Sequence, residues 1–143
     1  MAKMTKQTLY NSDFALWIDK TVANLRTKNI SDLDWENLIE EVQSLGKRDK
    51  RKLESLLTRL LEHLLKRKHT GMQECYRGWD IEIRNFSKQI KRLLQDSPSL
   101  KEYLREIAPR CYDEAVETIS EDYEIYDFSP GLDLEKILNS LTN

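Results

Sequence analysis

Leu53-Glu54-Ser55-Leu56-Leu57-Thr58-Arg59-Leu60-Leu61-Glu62-His63-Leu64-Leu65 decides the fold class of this 143-residue chain. Its seven leucines recur at spacings of 3, 1, 3, 1, 3 and 1. At 100° per residue they cover about 180° of one helical surface, whereas a half-buried strand would alternate by two. Lys66, Arg67 and Lys68 follow in the last turn, where cations complement the helix dipole. Thr70 and Gly71 then break the pattern.

The same periodicity extends outward in both directions. Upstream, Ser12 and Asp13 precede Phe14, Trp17, Ile18, Thr21, Val22 and Leu25, which predicts a first helix ending near Lys28. Asp32 or Asp34 caps a second helix whose buried face is expected to be Trp35, Leu38, Ile39, Val42 and Leu45. Gly46 is expected to end that helix in the left-handed conformation and to form a corner before the leucine helix. Downstream, Trp79, Ile83, Phe86, Ile90, Leu93 and Leu94 define a fourth helix, expected to pack on the leucine stripe.

Ser97-Pro98 marks the start of a fifth helix, with Ser as cap and Pro in the first turn. Its apolar face runs through Leu100, Tyr103, Leu104, Ile107, Cys111, Ala115 and Ile119, with a kink expected near Ala108 because Pro109 lacks an amide hydrogen. A turn at Pro130-Gly131 precedes a short C-terminal helix carrying Leu134, Ile137, Leu138 and Leu141. The expected fold is therefore all-α: an antiparallel bundle of about five helices plus a short C-terminal one. It is read as a single domain over residues 1–143, with 1–10 a flexible N-terminus.

Composition agrees with that reading. Hydrophobic residues are 39% and charged residues 34%, with four Gly and three Pro, as amphipathic helices require. A chain near 150 residues buries roughly 70% of its unfolded surface, enough for a core. No apolar run approaches the roughly 18 residues that span a bilayer, and Met1 to Tyr10 is polar, so a cytoplasmic protein without membrane contact is expected. Cys75 and Cys111 belong to no zinc-ligand spacing and are expected to be reduced thiols. The net charge of −2 conceals a basic middle: residues 46–112 hold 17 Lys/Arg against 9 Asp/Glu, and most of the compensating acid follows Asp113.

Four segments carry a family resemblance. They are Asp13-Phe14-Ala15-Leu16-Trp17, the run from Glu36 to Gly46 (ENLIEEVQSLG), Leu60-Leu61-Glu62-His63-Leu64-Leu65-Lys66, and Ser97-Pro98-Ser99-Leu100. In their order and spacing they resemble a bacterial family known as domain of unknown function 29, over about four fifths of the chain. Leu132-Asp133-Leu134-Glu135-Lys136-Ile137-Leu138 fits the C-terminal part of that family. The resemblance implies a compact helical domain and carries over no catalytic residues.

Three functional readings follow from the residues themselves. Tyr123 and Tyr126 stand among Asp113, Glu117, Glu121 and Asp122, an acidic, aromatic surface suited to a basic protein partner. A non-enzymatic interaction or regulatory module is the leading expectation, with no cofactor; self-association is compatible with it. The alternative is nucleic-acid binding through residues 47–69, where nine Lys/Arg face three acids and Arg48, Lys52, Arg59 and Lys66 lie opposite the leucines. A pI near 5.8 and the lack of a nucleic-acid motif weigh against it. The third reading is a metal-dependent hydrolase centred on His63, about 105° from the centre of the stripe and expected to meet Glu41 of the preceding helix. No Glu-x-x-His pair supports it, since Leu60 stands three before His63 and Lys66 three before His69. Adjacent Glu40 and Glu41 diverge by about 100° and form no acid/base dyad alone. Trp17, Trp35 and Trp79 are expected in the core.

Overall fold

A computed structural model describes residues 6–143, with side chains from Leu9 onward. Six α-helices and one short 3-10 turn make up the described residues, with no strand among them: α1 Lys6–Ser12, α2 Phe14–Arg26, the turn Ile30–Asp32, α3 Trp35–His69, α4 Gln73–Asp96, α5 Leu100–Tyr123 and α6 Leu134–Thr142. The fold is an all-α bundle. None of these helices is long and apolar enough to cross a membrane. The chain divides into two compact units, residues 1–47 and 48–143. Of the N-terminal stretch expected to be flexible, residues 1–5 lie outside the described residues, and Lys6–Tyr10 are helical.

The first unit forms around Trp17 and Leu33, each 3% exposed. Asp13 caps α2 as its sequence position requires, its carboxylate accepting the Leu16 amide at 3.0 Å. α2 ends in a Schellman motif: the Asn29 amide donates to the Asn24 carbonyl and the Lys28 amide to Leu25, with Lys28 left-handed at φ 59°. Asp34 opens α3 through its carbonyl, which accepts the Leu38 amide at 2.9 Å. The Asp34 carboxylate is taken instead by the Trp17 indole N–H at 3.3 Å and the Asn37 amide at 2.7 Å. Tyr10 stands edge-on to Trp17 at 4.9 Å.

Gly46 makes no corner. α3 runs unbroken from Trp35 to His69, so the two helices expected from the sequence are one of 35 residues. A glycine in a helix interior weakens the helix by only about 1 kcal/mol, too little to stop it between a strong apolar pattern upstream and one downstream. The left-handed glycine is Gly71, at φ 68°, just beyond the end of α3. Losing the corner also changes what is buried. Trp35, Ile39, Val42 and Leu45 are between 50% and 59% exposed rather than packed.

The second unit is organised by the leucine stripe. Leu53, Leu57, Leu61 and Leu65 are fully buried, with Leu56 and Leu60 close to it and Leu64 at the edge. Ile90 and Leu94 of α4, Leu104, Ile107, Ala108, Cys111, Ala115 and Ile119 of α5, and Leu138 and Leu141 of α6 complete the cluster. α4 therefore packs against α3, and Arg67 ties the two together by donating to Asp80 at 3.0 Å. α5 begins at Leu100, two residues later than Ser97-Pro98 predicts. The turn closes by backbone bonds from Leu100 to Ser97 and from Lys101 to Pro98, and the flanking Ser99 makes no side-chain cap. Pro109 stays inside an unbroken α5, on its exposed side, where water can serve the Arg105 carbonyl left without a donor. Asp133 caps α6 by accepting the Lys136 amide at 3.1 Å.

Replacing Gly46 by Ala tests the unbroken helix. A Cβ there meets nothing within 4 Å, so G46A is expected to stabilise by about 0.5–1 kcal/mol, read as a higher urea midpoint. A left-handed glycine at a corner would instead make the change destabilising.

Candidate functional site

The helix that carries the leucines inward carries a row of charge outward. An open groove of about 500 Å³ follows α3 and is bordered by Arg110 and Glu114 of α5. Arg51, Ser55, Arg59 and Glu62 line it from α3, and His63 closes one end. All of these residues belong to the second unit.

Glu54 is the fixed point of the groove. Its Oε1 accepts hydrogen bonds from the Arg110 guanidinium and, at 2.8 Å, from the Tyr103 hydroxyl. The Arg110 bond and then the Tyr103 bond hold the Glu54 carboxyl below its usual range, and the same contact pushes the Tyr103 hydroxyl up. Arg110 also approaches Glu114 at 3.9 Å, one turn on. Behind this pair the Cys111 thiol is fully buried, lies 3.8 Å from the Glu54 carbonyl oxygen, and is pushed up by burial. It is a core residue, and Cys75 is a half-buried free thiol.

Glu62 and His63 stand next to each other on α3. Burial raises the Glu62 carboxyl against the opposing pull of Lys66 and Arg59. His63 Nδ1 lies 2.8 Å from the Arg59 carbonyl oxygen. A carbonyl only accepts, so Nδ1 carries the proton and Nε2 keeps its lone pair in the neutral ring. The ring packs edge-on against Phe86 at 5.2 Å, and its burial lowers the His63 pKa.

Several residues singled out in the sequence sit elsewhere. Glu41 and His63 are not brought together: with no corner at Gly46 both lie on one helix, 22 positions apart, and Glu41 accepts the Tyr10 hydroxyl instead. That bond pushes the Tyr10 hydroxyl up to about 12. No group of three His, Cys, Asp or Glu side chains able to hold a metal occurs among the described residues. Of the basic row, Arg48, Lys52 and Arg59 are exposed, while Lys66 is half-buried with its ammonium over the Trp79 ring at 5.1 Å. Asp113, Glu117, Glu121 and Asp122 are exposed along α5, and Tyr126 is 85% exposed. Tyr123 instead packs on the core and meets Trp79 edge-on at 6.4 Å. Of the three tryptophans, Trp17 is buried, Trp79 half-buried and Trp35 half-exposed, which corrects the expectation for Trp35. The contact of Glu54 with Tyr103 and Arg110 escaped sequence reading, although Glu54 at the rim of the stripe is a position where a charge needs a partner.

The features together define an all-helical bundle with a charged groove along α3. The chain belongs to the family described as domain of unknown function DUF29, which matches residues 9–140. Comparison with curated proteins and with solved structures gave no match.

His63 provides a direct check on this geometry. Its NMR titration midpoint is expected below the ordinary value of about 6.5. A depressed folded pKa means that the unfolded chain takes the proton first. Its contribution to stability is therefore full above about pH 6.5 and falls as pH drops through that value. A midpoint above the ordinary value would contradict the buried, Nδ1-bonded ring.

Proposed function

We propose that this protein is a cytoplasmic, non-enzymatic interaction module that captures a basic, amphipathic helix of another protein on the apolar face of its first unit. One observation carries the reading. Phe14, Ile18, Val22 and Leu25 of α2 and Trp35, Ile39, Val42 and Leu45 of α3 form two helical stripes, each residue 37% to 59% exposed. Exposed apolar side chains scattered singly are ordinary, but helical stripes of them mark surfaces that another helix covers.

The small size of the first unit supports this. Trp17 and Leu33 are its buried apolar residues among those described, and a unit of 47 residues lies near the size at which a chain cannot bury enough surface by itself. A partner helix supplies the missing half of a core. Charge selects its kind: every ionisable residue from Trp35 to Gly46 is acidic, namely Glu36, Glu40 and Glu41. The exposed row Asp113, Glu117 and Glu121 on α5 is an acidic surface of the second unit, suited by itself to a basic partner. The polar N-terminal sequence and the two free thiols support the cytoplasmic placement.

The test uses a synthetic helical peptide with Leu along one face and Lys on its flanks, titrated into the full chain by calorimetry. Saturable binding is expected, with an I39D/V42D double variant weakened by about 2 kcal/mol or more through lost apolar burial. Neutralising the exposed Glu40 should mainly slow association and flatten its salt dependence. Equal binding by the variant, or by a peptide whose flanks are Glu, overturns the reading. A concentration-dependent dimer in sedimentation equilibrium, abolished by I39D/V42D, would replace the foreign helix by a second copy.

A further inference from the structure

The charged groove on α3 lies outside the surface just proposed, and its chemistry is that of a ligand site. Arg51, Ser55, Arg59 and Glu62 recur at intervals of four, four and three, so they form one row about 17 Å long on the side of α3 away from the leucines. Arg110 is committed to Glu54 and Glu114. Arg51 and Arg59 make no ion pair among the described residues, and both are exposed to the groove. At the far end the chemistry reverses, because Glu62 and the Nε2 lone pair of His63 are acceptors. The volume, about 500 Å³, falls within the usual range for small-molecule sites, about 300–1,000 Å³.

We propose that this groove binds a small phosphomonoester on a hydroxylated carrier, with Arg51 and Arg59 on the phosphate oxygens and Glu62 and His63 accepting hydrogen bonds from the carrier's hydroxyl groups. A tetrahedral dianion has enough oxygens for two separate guanidinium forks, whereas one fork satisfies a carboxylate. Glu62 lies beyond the two arginines in the same row and opposes continuation of a phosphate chain past them, so a single phosphate between Arg51 and Arg59 suits the groove better than a nucleic-acid backbone.

The probes are inorganic phosphate and β-glycerophosphate, titrated into the full chain at fixed ionic strength with amide NMR shifts as readout. Saturable shifts are expected at residues 51–63 and 110–114, with β-glycerophosphate the tighter ligand. R51Q/R59Q should weaken both about tenfold, the effect of losing charge-assisted bonds to the anion. K52Q, outside the groove, should change neither. H63A should weaken β-glycerophosphate, which keeps only its Glu62 contact, and leave inorganic phosphate unchanged.

R59K, which keeps the charge but loses the fork, should fall between wild type and R51Q/R59Q, and melting curves of these two arginine variants should match wild type. Shifts spread over basic residues generally, no saturation, or equal loss in K52Q overturns the proposal. So does an H63A variant that weakens both probes alike. I39D/V42D should bind both probes as wild type does, which separates this site from the apolar face.

Discussion

Water is excluded from the leucines of α3, and the second unit is the means of excluding it. Burying a leucine side chain is worth about 1.5–3 kcal/mol, and four of the seven are fully inaccessible. No single neighbour can cover a 180° stripe, because a helix contacts another along a narrower seam. Helices α4, α5 and α6 are therefore all required, and each contributes apolar residues to the one cluster. The small residues Ala108, Cys111 and Ala115 on α5 are buried in that cluster.

The same constraint makes the outer face of α3 a place for charge. Residues at the rim of the stripe are half desolvated, so each needs a partner of fixed geometry. Glu54 obtains two donors from α5, and His63 takes the carbonyl of Arg59 one turn back. Arg51 and Arg59, farther round the helix, stay solvated and make no ion pair among the described residues. Core and groove are thus two consequences of one helical period.

What was legible in the sequence was whatever that period encodes. The leucine helix, the Asp13 cap, the end of α2 near Lys28, the stop at Gly71 and the short C-terminal helix all follow from local spacing and local chemistry. Gly46 misled because its permissiveness marks either a terminus or a tolerated weak point, and local sequence does not distinguish them. Trp35, Ile39, Val42 and Leu45 misled for a different reason. Periodicity identifies an apolar face but does not say whether the covering surface belongs to the same chain. Glu54 with Tyr103 and Arg110 was invisible because those partners are 49 and 56 positions away and meet only through the packing of α3 on α5.

An exposed apolar stripe is informative only against the needs of the unit that bears it. In the second unit the apolar residues of α3 are consumed by the fold, whereas in the first they exceed what Trp17 and Leu33 can gather around themselves. Selection for solubility would replace surplus valine and isoleucine by charge at positions such as 39 and 42, since an exposed helix face tolerates Lys or Glu at almost no cost in stability. The flanking positions 36, 40 and 41 carry that charge already. Apolar residues in register between them match what a helix-in-groove contact requires, an apolar stripe flanked by like charge.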